Sequence, residues 1–213
     1  MLALASLDGR VDPRGGRSWS EQIESALSES SDLDFAVGLN ITVLRRLYDP
    51  QHVVESAAAL GTGEVAADSA RYLAAMLLGL LHGAALKTAL TPGFEPVRGL
   101  WSQAPLSAPV DRVARAAPPV KTPRAGSELA AIADARNWLR RRHTYPGTTL
   151  LAEWIATGRT TSVAPVVSLA GAAFGAEPVR STCIDSRERV RAIARQLIAE
   201  AEEHRDDGVP PLI

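Results

Sequence analysis

The sequence predicts an all-α, compact multi-helix domain, on three observations. Apolar residues make up 46% of the chain but aromatics only 5%, so Ala, Leu and Val must fill the interior. Close-packed helices suit that composition better than a sandwich, which draws on β-branched and aromatic residues. The second observation is the stretch from Thr157 to Gly175, where a hydroxyl cluster (Thr160, Thr161, Ser162) runs into an apolar segment carrying Ser168, Ala170, Gly171, Ala172 and Ala173. Hydroxyl oxygens there accept from N–H groups that lack a partner in the first helical turn, and Pro165 fits that turn because its missing N–H costs nothing. So little side-chain bulk permits close approach by neighbours, which places this helix at the centre of the domain. The third observation is that helix starts and apolar stripes of helical spacing recur along the chain, while strand-like alternation is confined to one ambiguous stretch.

Taken in order, residues 1–17 end in Asp-Pro-Arg-Gly-Gly-Arg and read as a loop. Ser18-Trp-Ser-Glu21 matches a capping box and opens a short helix to about Ser28. Phe35 to Tyr48 is the ambiguous stretch. Val37, Leu39, Ile41 and Val43 alternate like a strand, whereas Leu44 and Leu47 fit a helical face; the reading is a loop followed by a short helix. Asp49-Pro50 starts the next helix, a capping carboxylate followed by proline at the first helical position. It carries Val53, Val54, Ala57, Ala58 and Leu60 and stops at Gly61-Thr-Gly63. A longer helix, buried on several sides, is expected from about Glu64 to Leu90, with Gly79 and Gly83 admitting a close neighbour.

Half of the 14 prolines lie in residues 91–126, which read as a Pro-rich connection with a possible turn at Arg98–Trp101. Ser127-Glu128 begins a helix through Trp138 to about His143, and Thr148 or Thr149 another to Gly158. After the small-residue helix, Ile184-Asp-Ser-Arg-Glu-Arg189 opens a last amphipathic helix with Val190, Ile193, Ala194, Leu197 and Ile198 on one stripe. Residues 206–213 read as a frayed tail. The length of 213 residues suits a single domain, 1–213, with a real core.

Charge and cysteine content narrow the function classes. With 23 basic against 24 acidic residues, there is no global field to recruit nucleic acid or an anionic membrane. The single Cys183 excludes an internal disulfide and suits a reducing compartment. Met1–Leu7 lacks a basic leader, so no signal peptide is expected. Tyr72–Leu86 is shorter than a membrane span and contains His82. A soluble, cytoplasmic protein is the expectation.

Signatures of phosphate loops, dinucleotide folds, zinc proteases and nucleophile elbows are absent. His52, His82, His143 and His204 have no metal-ligand spacing. His82 reads as a hydrogen-bonded core or boundary residue rather than a ligand. Arg140-Arg141-Arg142-His143 could grip a phosphate or an acidic partner, or could be a solvated helix end whose cations suit the C-terminal dipole. The run Gly158-Arg159-Thr160-Thr161-Ser162 is open to three roles. It can be a plain N-cap, an anion site using free N–H groups and hydroxyls, or a metal turn, for which it lacks carboxylates while Arg159 favours phosphate.

Gly158 to Gly175, then Glu177-Pro178, then Asp185-Ser-Arg-Glu-Arg-Val190 resembles the C-terminal end of the ADP-ribosylglycohydrolases. In that family a Gly-Asp-x-Asp-Thr turn begins a small-residue helix ending in Gly-Ala-aromatic-Gly, before a proline-containing connection and an Asp-Arg-Glu-Arg-like last helix. Asp49-Pro50 through Leu60, Thr62, and Ala66 to Gly83 are similar to the family's Thr-His-containing helix pair. The resemblance spans about two-thirds of the chain and implies an all-helical, ADP-ribosylglycohydrolase-like fold. It also implies two magnesium ions, held by acidic turns, that activate water at the anomeric carbon. This chain departs from that pattern. The first acidic turn has no counterpart, Arg159, Thr160 or Thr161 stands where carboxylates belong, and Gly63 replaces the His after Thr62. Neutral hydroxyls beside an arginine cannot hold a dinuclear magnesium site.

The resulting expectation is a pseudoenzyme without a metal cofactor that binds an ADP-ribose-like small molecule through Arg159, Thr160, Thr161 and Ser162. No catalytic residue is assigned. One alternative is a non-enzymatic scaffold with a protein partner or a homo-oligomeric state. The other is an active ADP-ribosyl hydrolase completed by another subunit, with magnesium and with Asp32, Asp34 and Asp68 as the carboxylates to consider.

Overall fold

The computed structural model describes residues 33–117, 119, 128–143, 163–174, 184–203 and 205. Nine helices and no strands occur among them. They are α1 (Leu33–Arg45), α2 (Pro50–Ala58), α3 (Glu64–Leu81), α4 (Leu86–Ala89), α5 (Leu100–Gln103), α6 (Ala108–Arg115), α7 (Glu128–Arg140), α8 (Val163–Phe174) and α9 (Ile184–Glu203). None is long and apolar enough to cross a membrane. The expected helices at Ser18–Ser28 and Thr148–Gly158 lie outside the described residues.

The hub of the fold is α3, not the small-residue helix. It packs against α1, α2, α4, α6, α7 and α8. Every residue from Tyr72 through Leu80 is buried, and Tyr72, Leu73, Met76, Leu77 and Leu78 are each no more than 1% exposed. Large side chains radiating from one helix fill space on every side, so neighbours can surround it. α8 packs on α1, α3, α4 and α7. It buries Val166, Ser168, Leu169 and Ala170 but leaves Gly171 to Phe174 half-buried. Its small residues let one side approach closely, with Asn40 Nδ2 donating to Ser168 Oγ at 2.9 Å, but they cannot by themselves fill a core.

α3 is shorter than expected and ends at Leu81. Gly83 has φ +91°, which a side chain would strain. The N–H of Ala84 returns to the Gly79 carbonyl at 2.9 Å and that of Gly83 to Leu80 at 3.0 Å, the paired bonds of a Schellman motif. So of the two glycines expected to admit a neighbour, one stops the helix. Gly79 does admit one, since a Cβ there would lie 2.4 Å from the Phe94 ring.

Phe35–Tyr48 differs from its expected loop. α1 is helical from Leu33, and Leu39 and Val43 join the main core while Ile41, also buried, does not. Two residues apart on a helix means opposite sides. Arg45, one turn beyond Ile41, pairs with Glu200 of α9 at 3.6 Å, while the Leu39–Val43–Leu47 stripe faces the core. Burial on two sides of a helix imitates the alternation of a strand.

At α2 the expected start holds. Asp49 Oδ1 accepts from the His52 N–H at 3.0 Å, and Pro50 opens the helix. α7, α8 and α9 begin where the sequence places them, with Pro165 in the first turn of α8. Residues 91–117, by contrast, are not an irregular connection. They carry α5 and α6 and cross the surface of α3, burying Leu100, Trp101, Val110, Val113 and Ala114. Proline at the second position of α6 is compatible with a helix start, so counting prolines hid a helix.

Candidate functional site

Arg159, Thr160, Thr161 and Ser162 lie outside the described residues, as do Asp32 and His204. The helix they precede in sequence, α8, begins at Val163. Asp34 falls within α1. Among the described residues no three His, Cys, Asp or Glu side chains form a metal-ligand group.

Asp68, the remaining carboxylate considered for catalysis, is committed to a structural bracket. It projects from the second turn of α3 and is 6% exposed. Oδ1 accepts from Arg71 at 2.5 Å and Oδ2 from the Ser107 N–H at 2.6 Å. Arg71 reaches on to the carbonyls of Ala104 (2.5 Å) and Pro105 (3.2 Å). Its guanidinium stands 5.9 Å from the centre of the Trp101 ring. One i, i+3 pair thereby fixes the chain from Trp101 to Ser107 against α3. Burial disfavours the Asp68 anion, but the Ser107 N–H and the Arg71 guanidinium outweigh it and hold the carboxyl below its ordinary 3.8. A carboxylate held ionised by two fixed donors is a poor proton acceptor.

A second polar assembly was not singled out by its sequence. Arg136, on α7, is 0% exposed. Its Nη1 donates to the Val113 carbonyl, and its Nη2 to those of Leu90 (3.2 Å) and Thr91 (3.5 Å). The Val113 carbonyl belongs to the last turn of α6, where the helix dipole favours a cation, and those of Leu90 and Thr91 follow directly on α4. The guanidinium lies 5.7 Å from the Tyr72 ring centre. Burial pushes the Tyr72 phenol up to about 12, Arg136 acting weakly in the opposite direction. The Tyr72 hydroxyl and Arg136 Nε are buried without hydrogen-bond partners. A signal for Arg136 does exist in the sequence, because it occupies a place on the apolar stripe Leu129, Ile132, Ala133, Leu139.

The other candidates resolve individually. His82 caps α3, and its Nε2–H donates to the Leu47 carbonyl at 2.7 Å while its ring meets Tyr48 edge-on at 5.9 Å. It is the hydrogen-bonded boundary residue expected. In the run that ends α7, Arg140 donates to Leu90 (3.2 Å), Arg142 covers the Trp138 ring at 4.7 Å, and His143 Nδ1–H donates to the Arg140 carbonyl at 2.8 Å. Arg141 is exposed.

Comparisons with models of protein families, with curated proteins and with solved structures found no match to this chain.

Proposed function

We propose that this chain is a non-hydrolytic, ADP-ribosylglycohydrolase-like helical protein that binds an ADP-ribose-like ligand. In this reading Arg159 holds a phosphate, and Thr160, Thr161 and Ser162 supply hydroxyls ahead of α8. What supports it is the role of Asp68, since the one described buried carboxylate open to catalysis instead spans Arg71 and the Ser107 N–H. The start of α8 at Val163, directly after the hydroxyl cluster in sequence, agrees with an anion-binding helix start.

Calorimetric titration of the full chain with ADP-ribose, in chelator and without magnesium, tests the reading. Saturable heat is expected, and Arg159→Gln should weaken binding about 10–100-fold, the worth of one charge-assisted hydrogen bond. No heat with the wild-type chain would contradict it.

A further inference from the structure

Residues 92–107 cross the surface of α3 as a strap with little buried side chain of its own. Only Pro96, Leu100 and Trp101 of them are buried, whereas every residue of α3 from Tyr72 to Leu80 is. The one helix in the strap, α5, has four residues, too few to be stable without outside contacts. The strap is nonetheless braced within itself. Trp101 Nε1–H donates to the Phe94 carbonyl at 2.9 Å, and the Trp101 backbone N–H to Glu95 Oε2 at 3.3 Å. The N–H groups of Leu100, Ser102 and Ala104 bond to the carbonyls of Val97, Gly99 and Leu100, all inside the strap.

Its hydrogen bonds to the body of the molecule are gathered at the two ends. At one end Asp68 accepts from the Ser107 N–H at 2.6 Å, and Arg71 donates to the Ala104 and Pro105 carbonyls at 2.5 and 3.2 Å. At the other the Gly93 N–H donates to the Ala114 carbonyl at 2.9 Å. Between the ends the strap rests on ring contacts. The Phe94 ring lies against Gly79, and the Trp101 ring meets that of Tyr72 at 6.4 Å. The chain on either side is firmly seated, since Leu90 and Val110 are both 0% exposed. A segment braced internally, thinly buried and anchored beyond both ends has the features of a unit that opens before the core does.

We propose that residues 92–107 form a lid that lifts from α3 as one piece while the core stays packed, with Asp68 and Arg71 as its latch. Both latch residues stand on α3 and their partners on one end of the lid, so a single pair governs release. Lifting removes Trp101 from Tyr72 and Phe94 from Gly79. It uncovers the Tyr72 hydroxyl, which is buried without a hydrogen-bond partner while the lid is down. The lid does not involve Arg159–Ser162 and is independent of the ligand proposed for them.

Amide hydrogen exchange of the full chain, resolved by NMR at pH 7 with urea held below the unfolding transition, is the test. The Trp101 and Ser107 amides should be protected at least about 100-fold less than those of Leu77 and Leu78 in α3. Their exchange should also respond weakly to urea, because lifting the lid exposes far less surface than unfolding. Asp68→Asn loosens the latch and should speed exchange at Trp101 and Ser107 about 10–30-fold. Val53→Ala, a fully buried change on α2, weakens the core that the open form keeps. It should speed Leu77 and Leu78 about tenfold or more and leave Trp101 and Ser107 unchanged. The proposal is overturned if lid and α3 amides share one protection and one urea response, if Asp68→Asn leaves the lid amides unchanged, or if Val53→Ala speeds both sets equally.

Discussion

Replacing Asp68 with alanine should be among the more damaging single substitutions in this chain. The pair it forms is close to fully covered, with the Arg71 and Asp68 side chains 13% and 9% exposed. Removing one partner of such a pair costs about 3–5 kcal/mol, because the other charge is left in a poorly solvated place. Arg71 would keep the Ala104 and Pro105 carbonyls, which argues for the lower end. Against that, the Ser107 N–H loses its acceptor, worth about 1–3 kcal/mol when buried. The expected loss is about 3–4 kcal/mol. For a chain of this size each kcal/mol corresponds to about 2–4 °C in Tm, so a fall of about 6–16 °C follows. Asp68→Asn retains an oxygen for Ser107 but loses the charge, so it should cost about half as much. Urea unfolding monitored by far-UV circular dichroism at pH 7 measures both variants.

The pH dependence is a second reading of the same residue. The folded carboxyl lies below its unfolded value, so the unfolded chain takes up the proton more readily. The stabilisation is fully present above about pH 4 and is lost as pH falls through the folded pKa. The stability gap between wild type and Asp68→Asn should therefore narrow below pH 3.8. A wild-type-like Asp68→Ala at pH 7, within about 0.5 kcal/mol, would refute the bracket and return Asp68 to the catalytic candidates.

The packing sets four further outcomes. Tyr72→Phe removes a buried hydroxyl without a partner, so urea unfolding should show no loss, or a gain of up to about 1 kcal/mol. Spectrophotometric titration of the wild type should place the Tyr72 phenol at about 12, provided the chain remains folded there. Arg136→Met leaves the Val113 and Thr91 carbonyls without their guanidinium donor and should cost about 3 kcal/mol; Arg136→Lys should recover less than half, since one ammonium cannot span carbonyls on two helix ends. Gly61→Ala puts a Cβ 2.2 Å from the Ala67 N and 2.4 Å from the Ala66 carbonyl carbon. Backbone cannot yield as a side chain can, so a loss of about 3 kcal/mol or more is expected in the same assay.

Local chemistry made much of the fold legible. Asp49-Pro50, the stop near Gly61, and the starts of α7, α8 and α9 are signals that act within one turn. The errors came where distant burial or a neighbouring residue decided the outcome. α1 reads as a loop and a short helix because cover on both of its sides imitates the alternation of a strand. α3 is expected to run past its end because Gly83 reads as packing space, whereas its positive φ stops the helix. α6 was hidden among prolines that its first turn tolerates. The candidate site was less legible still. Asp68 meets the Ser107 N–H across 39 positions, and Arg136 meets Leu90 across 46; no short-range pattern announces either bond. Arg159 to Ser162 stand outside the described residues, so their expected role passes to experiment.

The claim that this helical chain binds an ADP-ribose-like ligand without metal is met most directly by thermal unfolding with and without ADP-ribose, each with and without magnesium. The account predicts a rise in Tm with ADP-ribose alone, unchanged by magnesium. A rise only when both are present would contradict it and revive metal-dependent hydrolysis; no rise in any condition would contradict it in favour of a helical interaction protein.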